Sequence, residues 1–193
     1  MVYTEAMTFK THQTIAFAAL ATVAVIYYPN GLGPATIGVS LVSNAVGALL
    51  PDMDQASNRL WDWLPGGNFW GRILKNLFGS HRSITHSILG LILIYMMVGW
   101  VFSRLFNPEY IDLIMATRAL MIGYISHILA DGLTEDGIPL LWPIKLRFGF
   151  PPIRSWRIKT GRWFEKWIIL PIAVLYTIGL LTFNWKILMG MIG

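Results

Sequence analysis

The stretch Gly79-Ser80-His81-Arg82-Ser83-Ile84-Thr85-His86-Ser87 runs without a break into Ile88-Leu89-Gly90-Leu91-Ile92-Leu93-Ile94-Tyr95-Met96-Met97-Val98-Gly99-Trp100-Val101-Phe102. Two histidines, an arginine and several hydroxyl residues thus stand at the threshold of an apolar run that continues to Phe106 and has the length of a spanning helix. This border decides the fold class, because a surface helix of a soluble protein would keep one polar face. The chain's other histidines, His12 and His127, also stand at the ends of apolar runs. Imidazoles placed only at such borders point to a metal or acid–base site at a membrane surface.

Composition agrees with that reading. The 193 residues are 55% hydrophobic and 13% charged, and the mean hydropathy is +0.56. The charged fraction is about half that of an average soluble domain, and the length suits one domain covering residues 1–193. The chain has no cysteine, which excludes disulfides and thiolate metal sites. A transition metal must then be held by imidazole and carboxylate, a donor set that suits zinc first, with manganese or iron as alternatives.

The expected fold is all-α: a polytopic membrane helical bundle of about five spans, at residues 13–28, 35–50, 88–106, 111–130 and 167–183. The first ends at Pro29-Asn30-Gly31-Leu32-Gly33-Pro34 and lacks a convincing cleavage site, so it reads as a retained span and not a signal peptide. The second contains Gly38, Ala45, Gly47 and Ala48, small residues that suit close helix contact. Residues 55–80 carry Trp61, Trp63 and Trp70 and are expected to form an interfacial, partly helical connection with its aromatics at headgroup level.

If successive spans alternate in direction, four clusters share one membrane face: His12, Asp52 with Asp54, His81 with His86, and His127 with Asp131. That face also collects all fifteen Lys and Arg residues except Arg104, Arg118 and Lys186. The positive-inside rule makes it cytoplasmic, in a multi-pass protein with its C-terminus outside. The net charge of +5 therefore reports topology. Nucleic acid is not an expected partner, whereas the lipid bilayer and its anionic headgroups are. Arg118, inside a span, reads as a buried substrate contact, as a partner of Asp112, or as a snorkelling cation.

The clusters differ in what their spacing demands. His127 and Asp131 are one turn apart on a helix, about 40° around its axis, and can hold one ion or form a helix-end hydrogen bond. Thr134, Glu135 and Asp136 follow as oxygen ligands or outer partners. His81 and His86 are about 140° apart and cannot share a helical face. His81 is therefore expected in a loop and His86 in a first turn capped by Ser83 or Thr85. Arg82 is placed to meet a phosphate or carboxylate, and free amides at the helix start favour the same charge. Asp52 and Asp54 point to the same side if that segment is extended. His12 gains weight only from sharing their face.

The ordered set Thr11-His12, Leu50-Pro51-Asp52-Met53-Asp54, His81-Arg82-Ser83-Ile84-Thr85-His86-Ser87 and His127-Ile128-Leu129-Ala130-Asp131-Gly132-Leu133-Thr134 resembles the YdjM-like group of bacterial inner-membrane proteins, which are predicted metal-dependent hydrolases. The resemblance covers roughly residues 8 to 145. It implies His12, Asp52, Asp54, His81, His86, His127 and Asp131 as metal-ligand candidates. More distantly, the order of these residues is similar to that of the zinc-dependent phospholipase C and single-strand nuclease fold, an analogy that implies a phosphoester substrate. A further downstream His-x-x-x-Glu/Asp pair of that fold is missing here.

The function expected on this basis is metal-dependent hydrolysis of a phosphoester in a lipid or lipid-linked substrate, using one or two divalent ions. Asp52, Asp54, Arg82 and His86 are the catalytic candidates, and Arg82, Ser83, Thr85 and Thr134 are the substrate contacts. The rival readings are a metal-ion transporter and a non-catalytic scaffold with a structural metal. The oligomeric state is left open.

Overall fold

A computed structural model describes residues 9–27, 31–55, 58–63, 65–67, 69, 71–73 and 84–192. Helix α1 covers Phe9–Tyr27 and α2 covers Pro34–Gly47, with Pro34 in its first turn, where a missing N–H costs nothing. A tight 3₁₀ turn, Leu50–Asp54, and a single turn, α3 (Arg59–Asp62), follow. Helices α4 (Ile88–Leu105) and α5 (Leu113–Gly132) form a hairpin. The last span opens with a wide turn, Glu165–Ile169, continues as α6 (Leu170–Phe183), and leads to the short α7 (Trp185–Gly190). Among the described residues there are no strands, only isolated bridges.

Among the described residues, four stretches are long and apolar enough to cross a membrane: Phe9–Tyr27, Ile88–Leu105, Leu113–Gly132 and Glu165–Phe183. They account for four of the expected spans with shifted ends. The second is 14 residues long, which rises about 21 Å against a hydrocarbon core of about 30 Å. Its short length is offset by burial: α2 lies along α5 in the most extensive helix contact of the bundle.

The reason for that contact is small residues. A Cβ on Gly47 would lie 2.0 Å from the Leu120 carbonyl oxygen, and one on Gly123 would lie 2.2 Å from that of Asn44. Only glycine lets the two backbones meet there, and the Asn44 amide then donates to the Ala119 carbonyl at 3.1 Å. On its other side α5 receives Ile94, Val98 and Phe102, a stripe at four-residue spacing on α4, against Ala116, Leu120, Tyr124 and Ile128. Within α5 61% of the span is buried inside the protein, against 28% for α1, 22% for α4 and 6% for the last span. Helix α5 is therefore the axis of the bundle, and the other spans turn most of their apolar surface to lipid.

Contacts define two ends. At one, Leu32 N–H donates to the Met191 carbonyl at 2.8 Å and Asp112 N–H donates to the Thr36 hydroxyl at 3.0 Å. At the other, the start of α1 meets the start of the last span, where the Thr11 hydroxyl donates to Glu165 at 2.7 Å. The turns after α2 and before α4 and the end of α5 gather there too. In the connection, Trp61 departs from expectation: it is buried, its indole N–H donates to the Gln55 carbonyl at 3.0 Å, and Trp63 alone of the two is exposed.

Candidate metal centre

The C-terminal turns of α5 carry His127 and Asp131, both fully buried. Their spacing works as a helix predicts, with His127 Nε2 3.8 Å from Asp131 Oδ2. The end of α2 fixes the imidazole: His127 Nδ1 lies 2.7 Å from the carbonyl oxygen of Ala48. A carbonyl only accepts, so Nδ1 carries the proton and Nε2 is the atom turned toward the carboxylates, where it offers a lone pair whenever the ring is neutral. This is the outer-partner arrangement that orients metal-binding histidines.

His86 arrives from the opposite side on the short turn Ile84–His86. Tyr124 of α5 donates its hydroxyl to the Thr85 carbonyl and so pins that turn to the axial helix. Thr85 Oγ1 lies 3.1 Å from His86 Nδ1, which again leaves Nε2 facing inward. The cap of α4 is Ser87, whose hydroxyl accepts from Gly90 N–H at 3.1 Å, so Thr85 does not cap the helix and is spent on the histidine. Asp52 comes from the 3₁₀ turn after α2. Its Oδ1 lies 3.7 Å from His86 Nε2 and 3.6 Å from His127 Nε2, while Asp131 Oδ2 lies 3.3 Å from His86 Nε2.

These separations exceed the ~2.9 Å of an ordinary N–H···O bond and match the edge of a ligand tetrahedron, about 3.4 Å for bonds near 2.1 Å. The donor atoms of Asp52, His86, His127 and Asp131 all lie within 4.8 Å of one another. Two carboxylates balance the charge of a divalent ion, and the negative ends of α2 and α5 converge on the same place. Buried carboxylates there are costly unless a cation compensates them. The set therefore fits a divalent ion such as zinc, manganese or iron by donor type, geometry and charge. For Asp52, burial opposes ionisation, but His127 and then His86 outweigh it and hold its carboxyl below the usual carboxylate range. Burial lowers the basicity of His86 more than Asp131 and Asp52 raise it. Both shifts favour the deprotonated forms that a metal takes.

His12 joins the cluster from α1 without belonging to that four-residue group. Its ring stacks on His127 at 3.8 Å between centroids and 9° between planes. Its Nε2 lies 3.5 Å from Asp131 Oδ1, the oxygen facing away from the other histidines' contacts. Among the described residues, neither ring nitrogen of the buried His12 has a hydrogen-bond partner. Asp54 is buried but stands apart from the group. The expected extended geometry is replaced by a 3₁₀ turn, and at three residues per turn the two carboxylates point about 120° apart. Thr134 is buried with its hydroxyl donating to the Asp131 carbonyl at 2.7 Å, a contact that holds the helix end. His81, Arg82 and Ser83 lie outside the described residues. Arg118 is exposed near the start of α5, toward the opposite end, and is no buried clamp.

One residue escaped sequence reasoning. Glu165 is fully buried; its Oε1 accepts from Thr11 and its Oε2 from Gly161 N–H, both at 2.7 Å. It ties the last span to the turn of α1 that carries His12. The available signal was a lone acid at the very start of an apolar run.

The geometry can now be set beside known proteins. A family model described as YdjM inner membrane protein matches residues 7–189. The chain belongs to the YdjM inner-membrane protein family. The uncharacterized protein YvsG of Bacillus subtilis (strain 168) is 31% identical over 163 residues, covering 84% of this chain and 88% of that protein. The inner membrane protein YdjM of Escherichia coli (strain K12) is 34% identical over 132 residues, 65% of this chain and 59% of that protein. A relative of the same name from Shigella flexneri matches to the same extent. No solved structure matches. Membership agrees with the four long apolar helices and gives the family's inner-membrane setting.

Proposed function

We propose that this YdjM-family chain is a membrane-embedded, metal-dependent hydrolase that cleaves a phosphoester in a lipid or lipid-linked substrate. The observation that carries the proposal is the group Asp52, His86, His127 and Asp131, whose two imidazoles are turned inward by Ala48 and Thr85. A divalent ion held there supplies Lewis acidity toward a phosphoryl oxygen and lowers the pKa of a water in its shell to about 7.

The protein's own groups then divide the work. His127, His86 and Asp131 are fully enclosed and rigid, so they hold the ion. Asp52 keeps 17% of its side-chain surface exposed, which makes its side the mouth of the site and Asp52 the group placed to accept a proton there. Thr85 and Thr134 hold His86 and Asp131 in place, so the substrate contacts fall to Arg82 and Ser83, which the sequence puts beside His86. Arg82 would neutralise charge developing on the phosphoryl group. The excess of Lys and Arg on the segments at this end supports a cytoplasmic mouth.

A structural metal clamp is the second reading, and the enclosure of three of the four ligands favours it, since structural sites are closed. Transport has less support: the deep polar groups Asn44 and Arg118 are respectively bonded to Ala119 and turned outward. Metal analysis of the purified protein combined with a panel of phospholipids and isoprenoid phosphates separates these readings. The hydrolase requires stoichiometric metal and turnover that Asp52→Ala abolishes while metal remains bound. Metal without turnover leaves the clamp, and metal at trace level overturns both.

A further inference from the structure

Between α5 and the last span, residues 139–147 form a loop, Pro139-Leu140-Leu141-Trp142-Pro143-Ile144-Lys145-Leu146-Arg147. Its base is clamped. Ile138 and Phe148 exchange backbone hydrogen bonds of 2.7 and 2.8 Å, and both side chains pack on the core of the bundle. Ile88 N–H at the start of α4 donates to the Leu140 carbonyl at 3.0 Å. The loop is further shaped by turns closed from Trp142 N–H to the Pro139 carbonyl and from Ile144 N–H to the Leu141 carbonyl. It is held in place, yet its side chains point outward: Leu141, Trp142, Ile144 and Leu146 are 44, 39, 62 and 52% exposed.

A clamped loop with an apolar tip needs an environment that accepts apolar surface, and two observations say which. First, the loop is bonded through the Leu140 carbonyl to the start of α4, where Ile88 and Leu89 are themselves exposed, so its apolar residues lie beside those of a helix long and apolar enough to cross a membrane. Second, Lys145 and Arg147 alternate with the apolar residues and the loop holds no acid. Among the described residues Arg147 bonds a backbone carbonyl, that of Asp136, and the ion pairs found nearby use Arg154 and Lys159 instead. Apolar residues with interleaved cations and tryptophan are the composition of an interfacial anchor on anionic lipid.

We infer that residues 139–147 are an interfacial loop that sinks Leu141, Trp142, Ile144 and Leu146 into the headgroup boundary of an anionic leaflet, with Lys145 and Arg147 on the lipid phosphates. The leaflet is the one at the end of the bundle bearing His86, two residues before Ile88, and Asp131, at the end of the helix the loop follows. The inference requires the membrane bundle and is independent of any hydrolase activity. It makes the loop a fixed float beside the metal centre, setting how deep that centre sits relative to lipid headgroups.

The chain has no cysteine, so Ile144→Cys introduces a single attachment point for a spin label. The labelled full chain is reconstituted into liposomes of phosphatidylcholine alone or with phosphatidylglycerol, and relaxation by oxygen is compared with relaxation by a water-soluble nickel chelate. The expected result is accessibility dominated by oxygen, severalfold more so in the anionic liposomes, with that excess lost in a Lys145→Gln/Arg147→Gln background. Leu146→Cys gives the same reading from a second position. Access dominated by the nickel chelate in both liposomes overturns the inference. Equal depth in neutral and anionic lipid overturns its anionic part. Spin–spin broadening that disappears on dilution with unlabelled protein gives the loop to a second copy of the chain and overturns it as well.

Discussion

The two ends of this bundle are built from the same kinds of helix termini but treat their buried polar groups differently. At the end bearing α7, polar groups meet in matched pairs at ordinary distances, Leu32 N–H with Met191 at 2.8 Å and Asp112 N–H with Thr36 at 3.0 Å. At the other end, imidazole nitrogens and carboxylate oxygens stand 3.3 to 3.8 Å apart. Those groups are too many and too enclosed to be a helix cap. One end closes the bundle, while the other gathers a group of imidazoles and carboxylates that could hold a metal ion. Glycine contacts at Gly47 and Gly123 connect the two by fixing α2 on α5, which sets both the Ala48 carbonyl and the Asp52 turn.

The sharpest way to break the contrast is to remove the residue on which the site end converges. Asp131 approaches His12, His86 and His127 with its two oxygens. Asp131→Ala should lower metal affinity by at least ~100-fold, beyond the 10–100-fold typical of outer partners, as read by chelator competition on purified protein. A variant that binds metal normally removes the basis for treating the cluster as a metal centre.

Next in size is the brace behind the site. Thr11→Val removes a donor to the buried Glu165, an effect of about 1–3 kcal/mol on stability, visible as a lower thermal midpoint in detergent. Because Thr11 precedes His12, metal affinity should fall about 10-fold, and Thr11→Ser should restore both. If Thr11→Val leaves metal affinity unchanged, Glu165 merely joins two helices.

Acid should act more gradually and on this end alone. His86 has its basicity lowered in the fold from an ordinary 6.5, so the unfolded chain takes up the proton first. Stability of metal-free protein therefore declines as pH falls through about 6.5. Asp52 is shifted below its ordinary 3.8; its contribution is complete above that value and is lost only as pH drops through its lower folded pKa. Between pH 8 and 5 the thermal midpoint of the wild type should therefore fall relative to that of His86→Gln, a difference that isolates the His86 contribution.

Which of these features a reader of the sequence can reach depends on how local their cause is. Spans follow from composition over about twenty residues, and the pairing of His127 with Asp131 follows from helical periodicity alone. That His12, Asp52, His86 and Asp131 would meet follows from alternating directions, a rule of topology. Local geometry of the connections was less accessible. Asp52 and Asp54 look equivalent until the segment proves to be a 3₁₀ turn, which sends them apart. Ser87, and not Thr85, caps α4 because the preceding turn commits Thr85 to His86 and Tyr124. Glu165 was hard to reach because its side-chain partner, Thr11, lies 154 residues away. Trp61 turned inward because a backbone carbonyl was there to receive its N–H.

The smallest expected effect tests whether the ends are energetically separate. Arg118 looks functional in the sequence, since a charge inside a span is usually paired or part of a site. In the fold it is the sixth residue of α5, exposed, and on the half of that helix remote from His127. A long cation there can snorkel to the nearer headgroups. Arg118→Gln should therefore change stability by no more than about 0.5 kcal/mol and leave metal affinity unaltered. A measurable drop in metal affinity would mean that α5 transmits a disturbance along its length, through the close contacts at Gly123 and Gly47, to the carbonyl that orients His127. The two ends would then be one mechanical unit, and the separation drawn from their hydrogen bonds would fail.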